Sequence, residues 1–379
     1  MKILIFIGTR PEAIKMAPLI SLLSEHDSFD VVLCSSGQHR LMLDQVLEIF
    51  SIIPKYDLDL MSDNQTLFSL SAKLMSSIEH VFELEEPDLA LVHGDTTTAM
   101  IASLASFYKK VPVGHVEAGL RTHDKYSPFP EEVNRQLISK LANFHFAPTI
   151  LNEENLLREG ITQETIFVTG NTVIDSIHSI IKKIDSDQVF KKALISTLIE
   201  ELQFDPLTNN FILITGHRRE NFGKGIENIC NALLTTAKKY PHIYFVYPVH
   251  LNPNIEKPVL KMLSNQKNIK LIKPMPYDVF CFLLQNCYFV LTDSGGIQEE
   301  APSLGKPVIV MRENSERPEA VEVGTVNLVG TSPDKIIKQC SKLIDDKSYY
   351  KSIATKKNPY GDGTASRQIV DAILNNIKR

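Results

Sequence analysis

Twelve short apolar runs punctuate this chain, and most of them show no polar alternation. The first six are Ile3 to Ile7, Val31 to Cys34, Leu89 to Val92, Val111 to Val116, Phe144 to Ala147 and Ile166 to Val168. The second six are Phe211 to Ile214, Ile243 to Tyr247, Ile269 to Ile272, Phe289 to Leu291, Val308 to Met311 and Val326 to Val329. A sheet with one wet face would alternate, so unbroken runs predict parallel strands covered on both faces. Amphipathic segments lie between them: Ala13, Ala17, Ile20 and Leu23 share one helical face, as do Leu67, Leu70, Leu74 and Ile78. Repeated strand–helix alternation predicts an α/β fold with right-handed crossovers, and two successive sets of runs predict two Rossmann-like domains. A length of 379 residues suits two or three domains. The turn signal at Gly170-Asn171 divides the chain into 1–170 and 171–363, and Ser366 to Lys378 reads as a closing helix that either domain could take.

Composition removes several function classes. The formal net charge of -5 argues against a general nucleic-acid binder, although a local basic pocket for a small phosphorylated ligand remains open. Cys34, Cys230, Cys281, Cys287 and Cys340 form no CxxC pair and are odd in number. They read as small apolar core residues of a reducing compartment, not as a disulfide framework or a zinc site. The N-terminal apolar run is too short for a signal peptide and meets Arg10 and Glu12 at once, and no stretch approaches the ~20 apolar residues that span a bilayer. These features predict a cytoplasmic protein with no membrane insertion.

In open α/β sheets, ligands bind beyond the carboxyl ends of the strands. After the first run come Gly8-Thr9-Arg10-Pro11-Glu12, which put Arg10 and Lys15 near a helix start. Cations there oppose the helix dipole, an arrangement that suits an anion held between them. His93-Gly94-Asp95-Thr96 follows another strand; by spacing alone Asp95 fits a helix N-cap better than a catalyst. Glu117, at a strand end beside Ala118-Gly119, is harder to explain as a cap. Glu131 and Glu132 follow the stiff Pro128-Phe129-Pro130 segment at a helix start, where dipole complementarity is the bland explanation. Three carboxylates on one sheet edge make an acid/base set. In the second half, His217-Arg218-Arg219 ends one strand, which suits a phosphate or developing negative charge. Ser294-Gly295-Gly296 ends another and offers bare backbone N–H groups as a diphosphate cradle. Glu300, one turn further, could accept from a ribose diol, and Arg312 and Arg317 follow the next strand.

No GxGxxG follows a predicted strand, and GxxxxGK[ST], HExxH and GxSxG are absent, which weighs against nicotinamide, P-loop, zinc and serine-hydrolase chemistry. The residues alone describe an enzyme acting on a nucleotide-linked substrate, with the reaction left open.

An ordered series of segments goes further. It begins with Gly8 to Pro18 and Gly37-Gln38-His39-Arg40, then His93 to Thr98, His115 to Thr122 and Ser127 to Glu132. It continues through Thr169 to Thr172, His217 to Asn221, Pro248-Val249-His250, Asp293 to Gly296, Arg317 to Ala320 and Asn358 to Gly363. Over nearly its whole length the chain resembles the bacterial non-hydrolysing UDP-N-acetylglucosamine 2-epimerases. The resemblance implies a GT-B fold with the active site in the interdomain cleft, and a C-terminal helix (364–379) that completes the N-terminal domain. It implies reversible interconversion of UDP-GlcNAc and UDP-ManNAc through anti elimination of UDP, a 2-acetamidoglucal and re-addition, in the supply of ManNAc-type sugars for surface polysaccharide. A homodimer is implied, with no redox cofactor and no metal. By the same resemblance Asp95, Glu117 and Glu131 are the acid/base candidates, and His217, Arg10 and Lys15 bind and neutralise the leaving diphosphate. Ser294, Gly295 and Gly296 hold phosphate, Glu300 holds ribose, Arg317 is a further nucleotide contact and Phe280 packs on uracil, although Phe280 also fits a core position.

Some family members carry a regulatory UDP-GlcNAc site, for which Gln38, Arg40, Arg218 and His250 are the counterparts. Leu41 and Asn64 depart from that pattern, so activation by substrate is not expected with the same force. The alternatives are a hydrolysing 2-epimerase that releases ManNAc and UDP, and a GT-B glycosyltransferase, because the same fold and cradle serve both. A non-catalytic nucleotide-sugar sensor is weaker, given the intact acidic set.

Overall fold

The computed structural model describes residues 1–37, 40–60 and 65–376, excluding the side chains of residues 40–42. Its two sheets are parallel throughout. The first contains β1 (Lys2–Ile7), β2 (Asp30–Ser35), β3 (Tyr56–Asp57), β4 (Leu89–His93), β5 (Val113–Val116), β6 (Phe144–Ala147) and β7 (Ile166–Val168), in the order β3-β2-β1-β4-β5-β6-β7. The second contains β8 (Phe211–Thr215), β9 (Tyr244–Pro248), β10 (Ile269–Ile272), β11 (Val290–Thr292), β12 (Val308–Val310) and β13 (Val326–Leu328), in the order β10-β9-β8-β11-β12-β13.

The chain forms two compact units, one of Met1–Ser176 with everything from Tyr360 onward, the other of Ile177–Pro359. Each is Rossmann-like, with helices over a parallel sheet. In the first, Leu4, Phe6, Ala90 and Val92 of the strands pack with Leu74, Ile78 and Val81 of the helix Leu67–Glu85. In the second, Ile212, Ile214 and Phe245 pack with Ile229 and Leu233 of the helix Lys224–Lys239. Fully burying each such side chain stabilises the fold by about 2 kcal/mol, which is why unbroken apolar runs settle at the sheet centre. Within the first unit, the helix Ala365–Asn376 packs on the helix Arg10–Ser24. The Asp175 carboxylate caps its start, accepting from the amides of Ala365 at 3.2 Å and Ser366 at 2.8 Å.

The strand absent from the apolar-run reading is β3. It has two residues, pairs only with β2 at the sheet edge, and leaves Asp57 exposed, so it produces no apolar run. In both sheets the strand order reverses once, between β1 and β4 and between β8 and β11. Crossovers leave these neighbours in opposite directions, opening a crevice at their carboxyl ends.

Candidate active site

The crevice of the first unit collects the residues after β1, β4 and β5. Gly8 must be glycine for space: an added Cβ would sit 2.5 Å from Ser36 Oγ and 2.6 Å from Thr98 Oγ1. The helix Arg10–Ser24 starts at once, with Thr9 as N-cap and Pro11 in its first turn, which presents Arg10 and Lys15. Lys15 Nζ donates to Glu117 Oε2 in a short charge-assisted bond. Asn171 Nδ2 donates to the same oxygen at 2.8 Å. His93 Nε2 lies 3.9 Å from it and has no hydrogen-bond partner among the described residues. Burial lowers the pKa of His93 to about 4, against the pull of Glu117, so the ring is neutral near pH 7. Glu117 itself has φ of 64°, the left-handed region that a residue with a Cβ rarely adopts. Strain of this kind persists where surrounding contacts over-determine it, and it concentrates at functional sites.

Asp95 is not the helix cap that its spacing suggested. Thr96 takes that position, its hydroxyl accepting from Ala99 N at 3.0 Å. The Asp95 carboxylate instead accepts from Arg135, with Nε at 2.8 Å and Nη2 at 2.7 Å from Oδ2. Asn134 Nδ2 holds the Asp95 carbonyl at 2.8 Å, and the buried His115 ring lies 2.7 Å from the Gly94 carbonyl. Burial drives the pKa of His115 down to about 3, so that neutral ring donates through Nε2. The two glutamates that open the helix Glu131–Leu141 diverge in role. Glu132 is fully buried and accepts from the amides of Thr122 at 2.9 Å and His123 at 3.1 Å and from Arg135 Nη1 at 3.1 Å. Burial would raise its pKa, but these bonds outweigh that and lower it. Glu131, by contrast, has a buried Oε2 with no partner among the described residues.

The second unit builds its crevice from different parts. Asp293, fully buried after β11, accepts from the backbone amides of His217 and Arg218 at 3.0 Å and from Asn221 Nδ2 at 3.1 Å. Lost solvation around the His217 ring lowers its pKa, Asp293 opposes this, and Arg218, His250 and Arg312 add to the fall. The rings of His217 and His250 stack with centroids 6.0 Å apart. Ser294 is N-cap of the helix Gly295–Ser303 by backbone, but its hydroxyl makes no cap bond. A Cβ on Gly296 would meet nothing within 4 Å, and one on Gly295 only Arg218 Nη2 at 3.6 Å. Open space thus adjoins the positive end of a helix dipole, and Arg218 Nε and Arg312 Nη1 are buried there without hydrogen-bond partners among the described residues. Glu300 is buried and accepts from Tyr277 Oη at 3.0 Å. Arg317 forms a buried ion pair with Glu299. Phe280 is half-buried on the helix Tyr277–Asn286. Among the described residues no cluster of three or more His, Cys, Asp or Glu could hold a metal.

The chain also has counterparts among known families and solved structures. A family model described as UDP-N-acetylglucosamine 2-epimerase matches residues 21–374. The chain belongs to the UDP-N-acetylglucosamine 2-epimerase family. A relative from Campylobacter jejuni named UDP-N-acetylglucosamine 2-epimerase is 51% identical over 373 residues, covering 98% of this chain and 97% of its own. One of the same name from Yersinia pestis is 52% identical over 376 residues, covering 99% of both chains. The crystal structure of UDP-GlcNAc 2-epimerase from Neisseria meningitidis bound to UDP-GlcNAc superposes with a TM-score of 0.91 at 50% identity, covering 99% of this chain and 100% of its own. The GT-B fold of two Rossmann-like domains follows from these neighbours and from the two parallel sheets.

For this epimerase-family chain the structure adds residues that spacing left without a role: Arg135 and Asn171, which hold the two carboxylates, and Asp293, which organises the His217 loop. Asn171 and Asp293 lie in motif segments and Arg135 just beyond one, but their partners are 54, 76 and 40 residues away, so only the fold reveals the pairing. Of the regulatory-site counterparts, Gln38 and Asn64 and the side chains of Arg40 and Leu41 lie outside the described residues. His250 is exposed, and Arg218 lies beside Gly295.

Proposed function

We infer that this chain interconverts UDP-GlcNAc and UDP-ManNAc without net hydrolysis. The observation that carries the reading is the set of carboxylates at Asp95, Glu117 and Glu131 in the first unit, the first two held by Arg135 and by Lys15 with Asn171, the third with a buried oxygen unpartnered among the described residues. The C2 proton of the sugar is weakly acidic, so departure of UDP from C1 must be assisted and a base placed by that proton, leaving a 2-acetamidoglucal. A proton then reaches the opposite face of C2 and UDP adds back to C1, which restores every atom with C2 inverted. Two faces require more than one acid/base group, and three carboxylates are candidates. Arg10, Lys15 and His217 neutralise the departing diphosphate. Ser294, Gly295 and Gly296 hold its phosphates, Glu300 takes the ribose, Phe280 packs on uracil and Arg317 steadies the nucleotide side through Glu299. No nicotinamide is called for, since the elimination and addition are redox-neutral. On this reading the enzyme acts as a homodimer in the cytoplasm; five buried free thiols fit a reducing compartment, and no described helix is long and apolar enough to cross a membrane.

The test is proton NMR of the purified protein with UDP-GlcNAc in deuterated water, without acceptor, metal or NAD. UDP-ManNAc carrying deuterium at C2 is the expected product. Accumulation of UDP and free ManNAc would make it the hydrolysing relative, and binding without conversion would turn the search to sugar acceptors.

A further inference from the structure

Glu12 has no part in the chemistry above, yet it is among the most firmly held side chains of the first unit, with 2% of its surface exposed. Its Oε2 accepts from the amides of Gly8 at 3.0 Å and Thr9 at 2.8 Å and from the Thr9 hydroxyl at 2.8 Å. These bonds make up the reciprocal cap of its own helix. The next bond has a different character. Oε1 accepts from the hydroxyl of Thr96 at 2.7 Å, across 84 residues of chain. Thr96 is N-cap of the helix Thr97–Tyr108 and directly follows Asp95. Both hydroxyls already accept from a cap amide, Thr9 from Glu12 N at 3.5 Å and Thr96 from Ala99 N at 3.0 Å, so both turn their protons toward one carboxylate.

We propose that Glu12 is a positioning residue for the epimerisation: by taking the protons of both N-cap hydroxyls, it holds the turn that bears Arg10 and Lys15 in register with the loop that bears Asp95. This rests on the roles assigned to those residues above. The two segments follow β1 and β4, the neighbours at which the strand order reverses, and the register between these strands runs only to Ile5 and Leu91. The clasp suits an ionised carboxylate, because all four of its bonds come from donors. Burial raises the pKa of Glu12 to about 7, against the hydrogen bonds of Thr96, Thr9 and Gly8. Protonation converts one oxygen into a donor and opens one side of the clasp. Activity should therefore show an acid limb near pH 7 that belongs to Glu12.

The experiment measures kcat, KM and their pH profiles for conversion of UDP-GlcNAc by the full chain, with UDP affinity from calorimetry. Glu12→Gln keeps the shape but sets an amide N–H against one of the donors. Its kcat should fall by about 10- to 100-fold, the cost of a small misplacement, while KM and UDP affinity stay within about threefold. The acid limb should disappear. Thr96→Val should be slow and Thr96→Ser close to wild type, and Glu12→Gln with Thr96→Val should be no slower than the worse single variant, because both break one contact. A Glu12→Gln enzyme with wild-type kcat and an unmoved limb overturns the inference, as do losses that add in the double variant. If Glu12→Gln does not fold, the threonine pair decides: equal rates for Thr96→Val and Thr96→Ser overturn the inference. Failure of the wild-type protein to convert UDP-GlcNAc would defeat the proposed function itself, an outcome distinct from any of these.

Discussion

The two crevices are alike in topology and opposite in chemistry. Each lies where a parallel sheet reverses its strand order, and each is closed by helices that begin just past a strand. In the first unit, cationic and amide side chains orient carboxylates: Lys15 and Asn171 on Glu117, Arg135 on Asp95. In the second, a buried carboxylate, Asp293, orients backbone amides and an Asn, while Arg218 and Arg312 each retain a buried N–H group unpartnered among the described residues. On the proposed function, one scaffold thus makes a proton-handling site or an anion-binding site according to which charge is fixed by the fold and which is left to face a ligand.

The largest effect that could break this contrast is expected at Glu117. Glu117→Gln should lower turnover by about 10³-fold, the scale of general acid–base catalysis, with UDP affinity by calorimetry almost unchanged. A parallel loss of UDP binding would mean that the carboxylate orders the nucleotide side as well. Next comes Arg317, whose partner Glu299 is buried. Arg317→Ala takes the ion-pair partner from that buried carboxylate and should cost about 3–5 kcal/mol in a urea unfolding curve. Loss of UDP affinity without loss of stability would instead make Arg317 a direct nucleotide ligand. Gly296→Ala is sharper and smaller. Its Cβ meets no protein atom within 4 Å, so the melting temperature should hold while UDP affinity drops about tenfold, because the methyl fills space beside the helix N–H groups.

The smallest effect is in acid stability. His93 and His115, at about 4 and about 3, lie below the ordinary 6.5, so the unfolded chain binds more protons and stability is lost as pH falls from 6.5. Glu12, raised from 4.5 to about 7, has the opposite sign: its contribution is present at low pH and lost as pH rises across that window. Denaturation midpoints from pH 7 to 4 should therefore decline gently. His93→Gln should flatten the decline and Glu12→Gln should steepen it; the reverse pattern would show that the assigned protonation states are wrong.

Much of this was legible in the sequence because parallel strands advertise themselves. Twelve strands follow from apolar runs, and their carboxyl ends pick out Arg10, Asp95, Glu117, His217 and Ser294. Local rules failed where a long-range contact decides. Nothing near Asp95 says that Thr96 will cap the helix, because the preference for Asp or Thr there is slight; Arg135, 40 residues away, takes up the carboxylate. Nothing near Glu117 says that it will adopt a positive φ or that its carboxylate will meet Lys15 and Asn171, 102 and 54 residues away. The two-residue β3 left no trace for the same reason that it contributes little core.

Asp293 has one more consequence. The amides of His217 and Arg218 are already gripped by a carboxylate that water does not reach. A diphosphate arriving at that loop finds it ordered, so little conformational entropy is surrendered on association. Capture should then be fast and limited by encounter, and the heat-capacity change of UDP binding should reflect the buried base and ribose rather than a segment folding around them.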